Sequence, residues 1–143
     1  MTAASENPFG RSISAEDIID TLGFFDSWED RYKYIIDLGK ELPDMPDELK
    51  TEDRLIRGCQ SQVWLETDQK GDCFEFQADS DAFIVKGLLG VILAAYNNKS
   101  SGEILAFDIE QYFEQLDLMR HLSPTRGNGL KAMVQRIREI AQA

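Results

Sequence analysis

A cysteine directly after a glycine is the feature of this sequence best suited to chemistry. Gly58 and Cys59 stand at the start of an apolar segment, a few residues downstream of Arg54 and Arg57. A cysteine reacts as its thiolate, which forms readily where the sulfur is partly exposed and close to positive charge. Gly58 can adopt backbone angles closed to other residues, so we predict a sharp turn with the sulfur at its tip. The alternative is a buried cysteine that acts only as a small apolar side chain.

The two other soft side chains, Cys73 and His121, give little support to a different chemistry. They form no Cys-x-x-Cys pair and no paired zinc spacing, and a bound iron–sulfur cluster generally needs about four protein ligands. His121 lies at a predicted helix end, where a cation is mildly favourable without any catalytic role. Cys73 shares one face of a predicted strand with polar residues, so we expect it to have no redox role. The sequence therefore predicts neither a metal centre nor a self-contained thiol enzyme.

Composition limits the partners of this chain. It has 143 residues, which favours one domain, and its 15 basic against 26 acidic residues give a formal net charge of −11. Such an excess of negative charge argues against binding nucleic acid or an anionic membrane, and it suits a basic protein partner. The longest apolar run, residues 82–96, is interrupted by Lys86 and is short for a membrane span. With two cysteines and no apolar leader, we expect a reducing, cytoplasmic location.

Two helices are predicted in the first third of the chain. Ser14 with Asp17 resembles a capping box, and the apolar spacing after it predicts a short helix that ends near Gly23. Ser27 is the expected cap of a second helix that continues to Leu42, where prolines follow.

Strands are predicted around the cysteine. Residues 54–57 and 62–67 have the composition of two short strands that flank Cys59. Gly71 marks a turn, and residues 73–78 alternate between apolar and polar side chains, as expected of a half-buried strand.

Helices fill the second half of the sequence. Residues 82–97 are apolar almost all round, so this helix is expected to be buried behind the sheet. Gly87 and Gly90 within it suggest a close approach to a neighbouring strand. Three further helices are expected to begin near Ser100, Asp108 and Pro124. The fold class is therefore predicted as α+β, a small antiparallel three-stranded sheet packed against several helices in one domain (1–143), with 1–11 as a loose N-terminal arm.

The residues around Cys59 resemble a known family. Gly58-Cys59-Gln60-Ser61-Gln62-Val63-Trp64 is similar to the signature loop of the SufE-like sulfur-acceptor family, which includes SufE and CsdE. The resemblance continues in the family's order through four further blocks: residues 28–39, residues 79–82 with 84–89, residues 122–126, and residues 129–130.

This resemblance implies a function in sulfur transfer for iron–sulfur cluster assembly. Cys59 would accept sulfur from the persulfide of a cysteine desulfurase and stimulate that enzyme, in a SufE/IscU-like sandwich fold. The chain would be an accessory protein with a covalent persulfide intermediate, without a cofactor of its own. Pyridoxal phosphate would belong to the partner, a desulfurase of the SufS or CsdA type, and a cluster-assembly scaffold would receive the sulfur. A monomer or weak homodimer is expected.

The resemblance also draws attention to Gly58, Gln60, Ser61, Asp81 and Arg126 as residues that shape or dock the acceptor loop. From the residues alone, Asp81 could equally be a helix cap. Arg126 lies in the first turn of a helix, where a cation opposes the dipole, so we expect it to have a specific partner. That partner is either Asp81 or a carboxylate of the desulfurase.

Three matters stay open at this point. Residues 7–10 and 42–50 look closer to the CsdE branch, whereas Gln60-Ser61-Gln62 look closer to SufE, so the choice of desulfurase is undecided. The chain could instead activate a desulfurase without accepting sulfur. It could also be a redox sensor with a reactive thiol at Cys59.

Overall fold

A computed structural model describes residues 7–58 and 61–142 of the chain. Within these residues six α-helices and a three-stranded antiparallel sheet form one α+β domain. The elements in chain order are α1 (Ala15–Gly23), α2 (Trp28–Glu41), β1 (Val63–Lys70), β2 (Cys73–Ser80), α3 (Phe83–Tyr96), β3 (Lys99–Ser100), α4 (Ser101–Ala106), α5 (Ile109–Leu116) and α6 (Pro124–Gln142).

The sheet is a long hairpin with a short third strand. β1 and β2 pair from Val63↔Ser80 to Lys70↔Cys73, and Gly71 provides the left-handed turn between them at φ +62°. Because antiparallel partners lie about 5 Å apart, residues at the Val63 end remain close to those at the Ser80 end. β3 then pairs with the start of β2. The hairpin therefore has a turn end at Gly71 and an open end at Val63.

The predicted strand at residues 54–57 is wrong, although the count of three strands is right. Glu52–Arg54 is a turn of 3-10 helix, and only Leu55 forms a bridge, to Trp64. One further hydrogen bond, from the Ile56 amide to the Val63 carbonyl, continues this contact. The chain then turns away at Gly58, so the segment cannot extend along β1. The two-residue β3 takes the third place in the sheet.

Helix α3 is the centre of the core. Eleven of its fourteen residues are buried, as its apolar sequence predicts, because α2 and the sheet cover it. The glycines in it do not face a strand, contrary to expectation. Gly87 lies against the backbone of Ile35 in α2, and Gly90 lies against the ring of Phe9. The close approaches are thus helix to helix, and helix to N-terminal segment.

Residues 7–11, the described part of the predicted N-terminal arm, are packed against the core. Phe9 is 0% exposed and packs on α3, and its carbonyl accepts a 2.9 Å hydrogen bond from the Asn97 side chain. Asn97 also accepts from the Phe76 amide, at 2.8 Å, which ties this segment to β2. The Arg11 guanidinium contacts Glu75 at 3.0 Å. Residues 1–6 of the predicted arm lie outside the described residues.

The predicted helix starts are confirmed. Ser14 with Asp17 and Ser100 with Glu103 form complete capping boxes. Asp108 accepts a hydrogen bond from the third residue of α5, and Pro124 is the first residue of α6. No helix in the described part of the chain has both the length and the apolar character needed to cross a bilayer.

The glycine contact between α3 and α2 can be tested by substitution. In Gly87→Ala the new methyl group would overlap the Ile35 carbonyl, so we expect a loss of about 1–3 kcal/mol in the free energy of unfolding. Gly102→Ala in α4 is the matched control, because its methyl group meets nothing within 4 Å. We expect that variant to gain up to about 1 kcal/mol from helix propensity. Urea unfolding measures both, and equal midpoints for the two variants would contradict the close approach.

Candidate functional site

The loop predicted to carry the thiol lies at the open end of the hairpin. Cys59 and Gln60 are outside the described residues, but the residues on both sides fix where the loop leaves and returns. Gly58 has φ +90°, as the predicted sharp turn requires. A side-chain carbon at Gly58 would lie 3.4 Å from Ala132, so the loop leaves the core beside α6.

Asp81 holds the returning limb of this loop. Its carboxylate accepts a 3.1 Å hydrogen bond from the Gln62 amide, and its own amide donates to the Gln62 carbonyl at 3.4 Å. These bonds continue the β1–β2 pairing one step beyond Val63 and Ser80. Asp81 is not the cap of α3, because the N-cap is Ala82, which makes no side-chain hydrogen bond. The structure therefore brings Asp81 together with the loop.

Arg126 lies near the same loop but not against Asp81. Its backbone amide donates to the Ser123 side chain at 3.2 Å, which caps α6. Among the described residues its guanidinium forms no ion pair with any carboxylate, so the predicted intramolecular partner Asp81 is wrong. A cation left without a countercharge at the positive end of a helix keeps its charge available to another molecule.

A narrow cleft separates the loop from α6. Its volume is about 10 Å³, which is room for about one water-sized atom. Val63, Val85 and Met133 give it apolar walls, and Ser61 and Arg126 lie at its polar side. Ser61 is therefore placed where the returning limb of the loop meets α6.

Of the two arginines expected to supply positive charge near the loop, one does so, and a third arginine adds to it. The Arg54 guanidinium is bound to Glu66 at 2.6 Å and to the Thr51 hydroxyl, so its charge is neutralised locally. Arg57 is exposed beside Gly58, as the sequence predicts. Arg136, one helical turn after Ala132, is also exposed, and sequence reasoning missed it.

A buried carboxylate behind the loop was also missed. Asp79, whose side chain is 4% exposed, accepts hydrogen bonds from the Met45 amide at 3.1 Å and the Ser80 amide at 2.8 Å. Lys50 and Lys86 each bring an ammonium to 3.4 Å from it. Burial alone would lower the pKa of Lys86, but hydrogen bonds and charge from Asp44 and Asp79 outweigh burial and raise it. Asp79 thus fixes the end of β2 from which Asp81 projects.

Cys73 lies at the other end of the hairpin. It pairs with Lys70 beside the Gly71 turn, whereas the loop is at Val63. A strand of eight residues spans roughly 23 Å, so Cys73 is far from the returning limb of the loop. His121 stacks on Trp28, with ring centroids 4.4 Å apart, and lies 3.2 Å from Asp117. These contacts give His121 a packing role.

A larger concavity, about 840 Å³, is a different feature. It lies between α4, α5 and α6 and uses Lys131, Val134 and Arg138 of α6. At 100° per residue these fall on the face opposite Gly129 and Met133, which line the cleft. The candidate site is therefore on the other side of α6 from this groove.

The role of Asp81 in holding the loop can be tested by amide exchange. Asp81→Ala removes the acceptor of the Gln62 amide, so we expect faster hydrogen exchange at Gln62, with a stability loss of about 1 kcal/mol or less. Asp81→Asn keeps an acceptor oxygen and should retain most of the protection. Exchange followed by NMR measures this difference. Unchanged exchange at Gln62 in the alanine variant would contradict the assignment.

Comparisons with known proteins cover nearly the whole chain. A family model described as SufE, Fe-S metabolism associated domain, matches residues 16–141. An uncharacterized SufE-like protein of Rhizobium etli is 47% identical over 133 residues, which cover 90% of this chain and 90% of that protein. A second uncharacterized SufE-like protein, of Rhizobium meliloti, is 44% identical over 133 residues, covering 90% of this chain and 95% of that protein.

A solved structure shares the fold. The solution structure of a hypothetical protein from Thermus thermophilus superposes with a TM-score of 0.72 at 17% identity, covering 90% of this chain and 93% of that one. At that identity the similarity supports the architecture alone. The α+β fold, the match to the family model across nearly the whole chain and the two relatives above 40% identity lead to one conclusion: this chain belongs to the SufE family.

Proposed function

We propose that this chain is a sulfur acceptor for a cysteine desulfurase and that Cys59 is the accepting residue. The observation that carries the proposal is the position of the loop. It leaves the core at Gly58 in a left-handed turn and returns at Gln62, whose amide donates a hydrogen bond to Asp81. An exposed turn at the open end of a hairpin can present a side chain to a second protein.

The transfer is a displacement at sulfur. Cys59 first loses its thiol proton to solvent, and the thiolate attacks the outer sulfur of the desulfurase persulfide. A new sulfur–sulfur bond forms on Cys59 while the old one breaks, and the desulfurase thiolate leaves with the electron pair. No net oxidation or reduction occurs, so the step needs neither a metal nor an external reductant.

Cations beside the loop favour this chemistry. Arg57 directly precedes Gly58, and Arg126 lines the cleft at the returning limb. Positive charge near a thiol stabilises its thiolate, and it also stabilises the anionic leaving group. Arg54 contributes less, because Glu66 holds its guanidinium.

In this proposal the cleft holds the outer sulfur of the Cys59 persulfide between its uptake and its transfer. Val63, Val85 and Met133 make an apolar wall for about one atom, which would exclude cytosolic reductants from a persulfide. The loop then has two positions, one against this wall and one extended into the partner. Binding of the desulfurase would favour the extended one.

The remaining partners follow from the same proposal. Pyridoxal phosphate belongs to the desulfurase, of the SufS or CsdA type, and this chain works without a cofactor of its own. A cluster-assembly scaffold in the cytoplasm receives the sulfur. Release of the desulfurase persulfide frees that enzyme for another turnover, so the acceptor also stimulates it.

Mass spectrometry tests the acceptor residue. After incubation with desulfurase and cysteine, we expect one added sulfur atom on Cys59 in the wild type and in Cys73→Ser. In Cys59→Ser we expect no added sulfur and no stimulation of the desulfurase. Cys73 is the matched control, since it is the chain's other cysteine and lies at the far end of the hairpin.

The same variants separate the alternatives. Stimulation that survives in Cys59→Ser would overturn the acceptor role and support a structural activator. Formation of sulfenic acid at Cys59 with mild peroxide, combined with no sulfur transfer from a desulfurase, would support a redox sensor.

Hydrogen exchange tests the two positions of the loop. We expect the amides of residues 58–62 to exchange at a different rate when the desulfurase is bound, because the loop leaves the cleft. The hairpin turn at Gly71 is the internal control and should be unchanged. Identical exchange of residues 58–62 in the free and bound states would rule out a partner-driven movement.

A further inference from the structure

Phe83 is an exposed aromatic residue at the start of an otherwise buried helix. It is 77% exposed, whereas every residue from Gly87 to Tyr96 in the same helix is buried. An exposed phenylalanine gains nothing for folding, and aromatic residues are enriched at the centres of protein interfaces.

The position of Phe83 relative to the loop follows from the pairing at the open end of the hairpin. Gln62 lies opposite Asp81, Ser61 is one residue before Gln62, and Phe83 is two residues after Asp81. The Cα atoms of Ser61 and Phe83 are therefore no more than about 17 Å apart. A standard interface buries about 800 Å² on each partner, a patch roughly 32 Å across. A protein that reaches the loop can cover Phe83 in the same contact.

Charge on this side of the molecule points to the nature of the covering surface. Arg57, Arg126 and Arg136 surround the loop, and among the residues that the structure describes none of them forms an ion pair. The chain as a whole carries a net charge of −11, and these three cations lie beside the loop, where Asp81 is exposed. Such a patch attracts a partner that carries carboxylates.

We propose that Phe83 and the three arginines form one docking face for the cysteine desulfurase. Phe83 inserts into an apolar recess of the desulfurase, and Arg57, Arg126 and Arg136 contact carboxylates at the rim of that recess. The inference rests on the proposed function, since it takes the desulfurase as the partner of the loop. It adds the chemistry by which that partner recognises this chain: an aromatic anchor with a basic rim on its loop side.

Phe24 provides the matched control. It is 83% exposed, at the end of α1, and it does not take part in the site. Replacement of either phenylalanine by alanine removes an equally exposed ring, so effects on stability should be equally small. Only a direct contact with the partner distinguishes them.

Binding of each variant to a SufS-type and to a CsdA-type desulfurase, both loaded with pyridoxal phosphate, tests the anchor. We expect Phe83→Ala to raise Kd about tenfold or more for the desulfurase that binds the wild type. Phe24→Ala should stay within about twofold. Equal Kd values for Phe83→Ala and the wild type would overturn the proposal.

A charge reversal tests the basic rim. Arg136→Glu should slow association with the desulfurase, and the difference should shrink as salt is added. Lys33→Glu, an exposed position on α2, makes the same change of charge away from the loop and should have a smaller effect. An equal effect of the two reversals would mean that only net charge matters, which contradicts a localised rim.

The two proposals fail in distinguishable ways. If Cys59 takes up sulfur but Phe83→Ala binds normally, the docking face is wrong and the acceptor function stands. If the wild type binds neither desulfurase and takes up no sulfur, the proposed function fails and the docking face fails with it.

Discussion

The buried carboxylate of Asp79 is the interaction on which the site depends. It joins three parts of the chain: the segment at Met45 after α2, the end of β2 at Ser80, and the first turns of α3 through Lys86. A buried carboxylate is costly unless hydrogen bonds and cations compensate it, and here two amides and two ammonium groups do so. Because Asp81 follows two residues later, the loop is held from a point that cannot shift without exposing that charge.

The site has a tightly packed base, formed by α3, and an edge at Gln62 that hydrogen bonds hold. Below it, α3 is fixed from two sides, by Ile35 through Gly87 and by Phe9 through Gly90. Above it, Gln62 is held by two hydrogen bonds to Asp81. Two hydrogen bonds are weak compared with a packed core, so we expect Gln62 to be released before the packed base moves. Under the proposed function, this division would let the loop move while the rest of the fold stays unchanged.

Local sequence patterns predicted local structure, but they did not predict contacts between residues far apart in the sequence. The caps at Ser14, Ser100 and Asp108 were found from sequence because the partner is three residues away. Asp81 carries the same signal but bonds across the hairpin, which no local pattern distinguishes from a cap. Residues 54–57 have the composition of a strand, but they pair with β1 through a single bridge, which is too short to form one. Cys59 itself was singled out as a sulfur acceptor through resemblance, since its position alone favoured a buried cysteine.

The link between Phe9 and Asn97 has a consequence for how the chain matures on the ribosome. The N-terminal segment is made first, but its hydrogen-bond partner follows almost ninety residues later. At typical rates of translation, about 5–20 residues per second, Phe9 waits several seconds before it can be covered. Closure of this long-range contact is then a late event, and until then an aromatic side chain destined for the interior is open to chaperones.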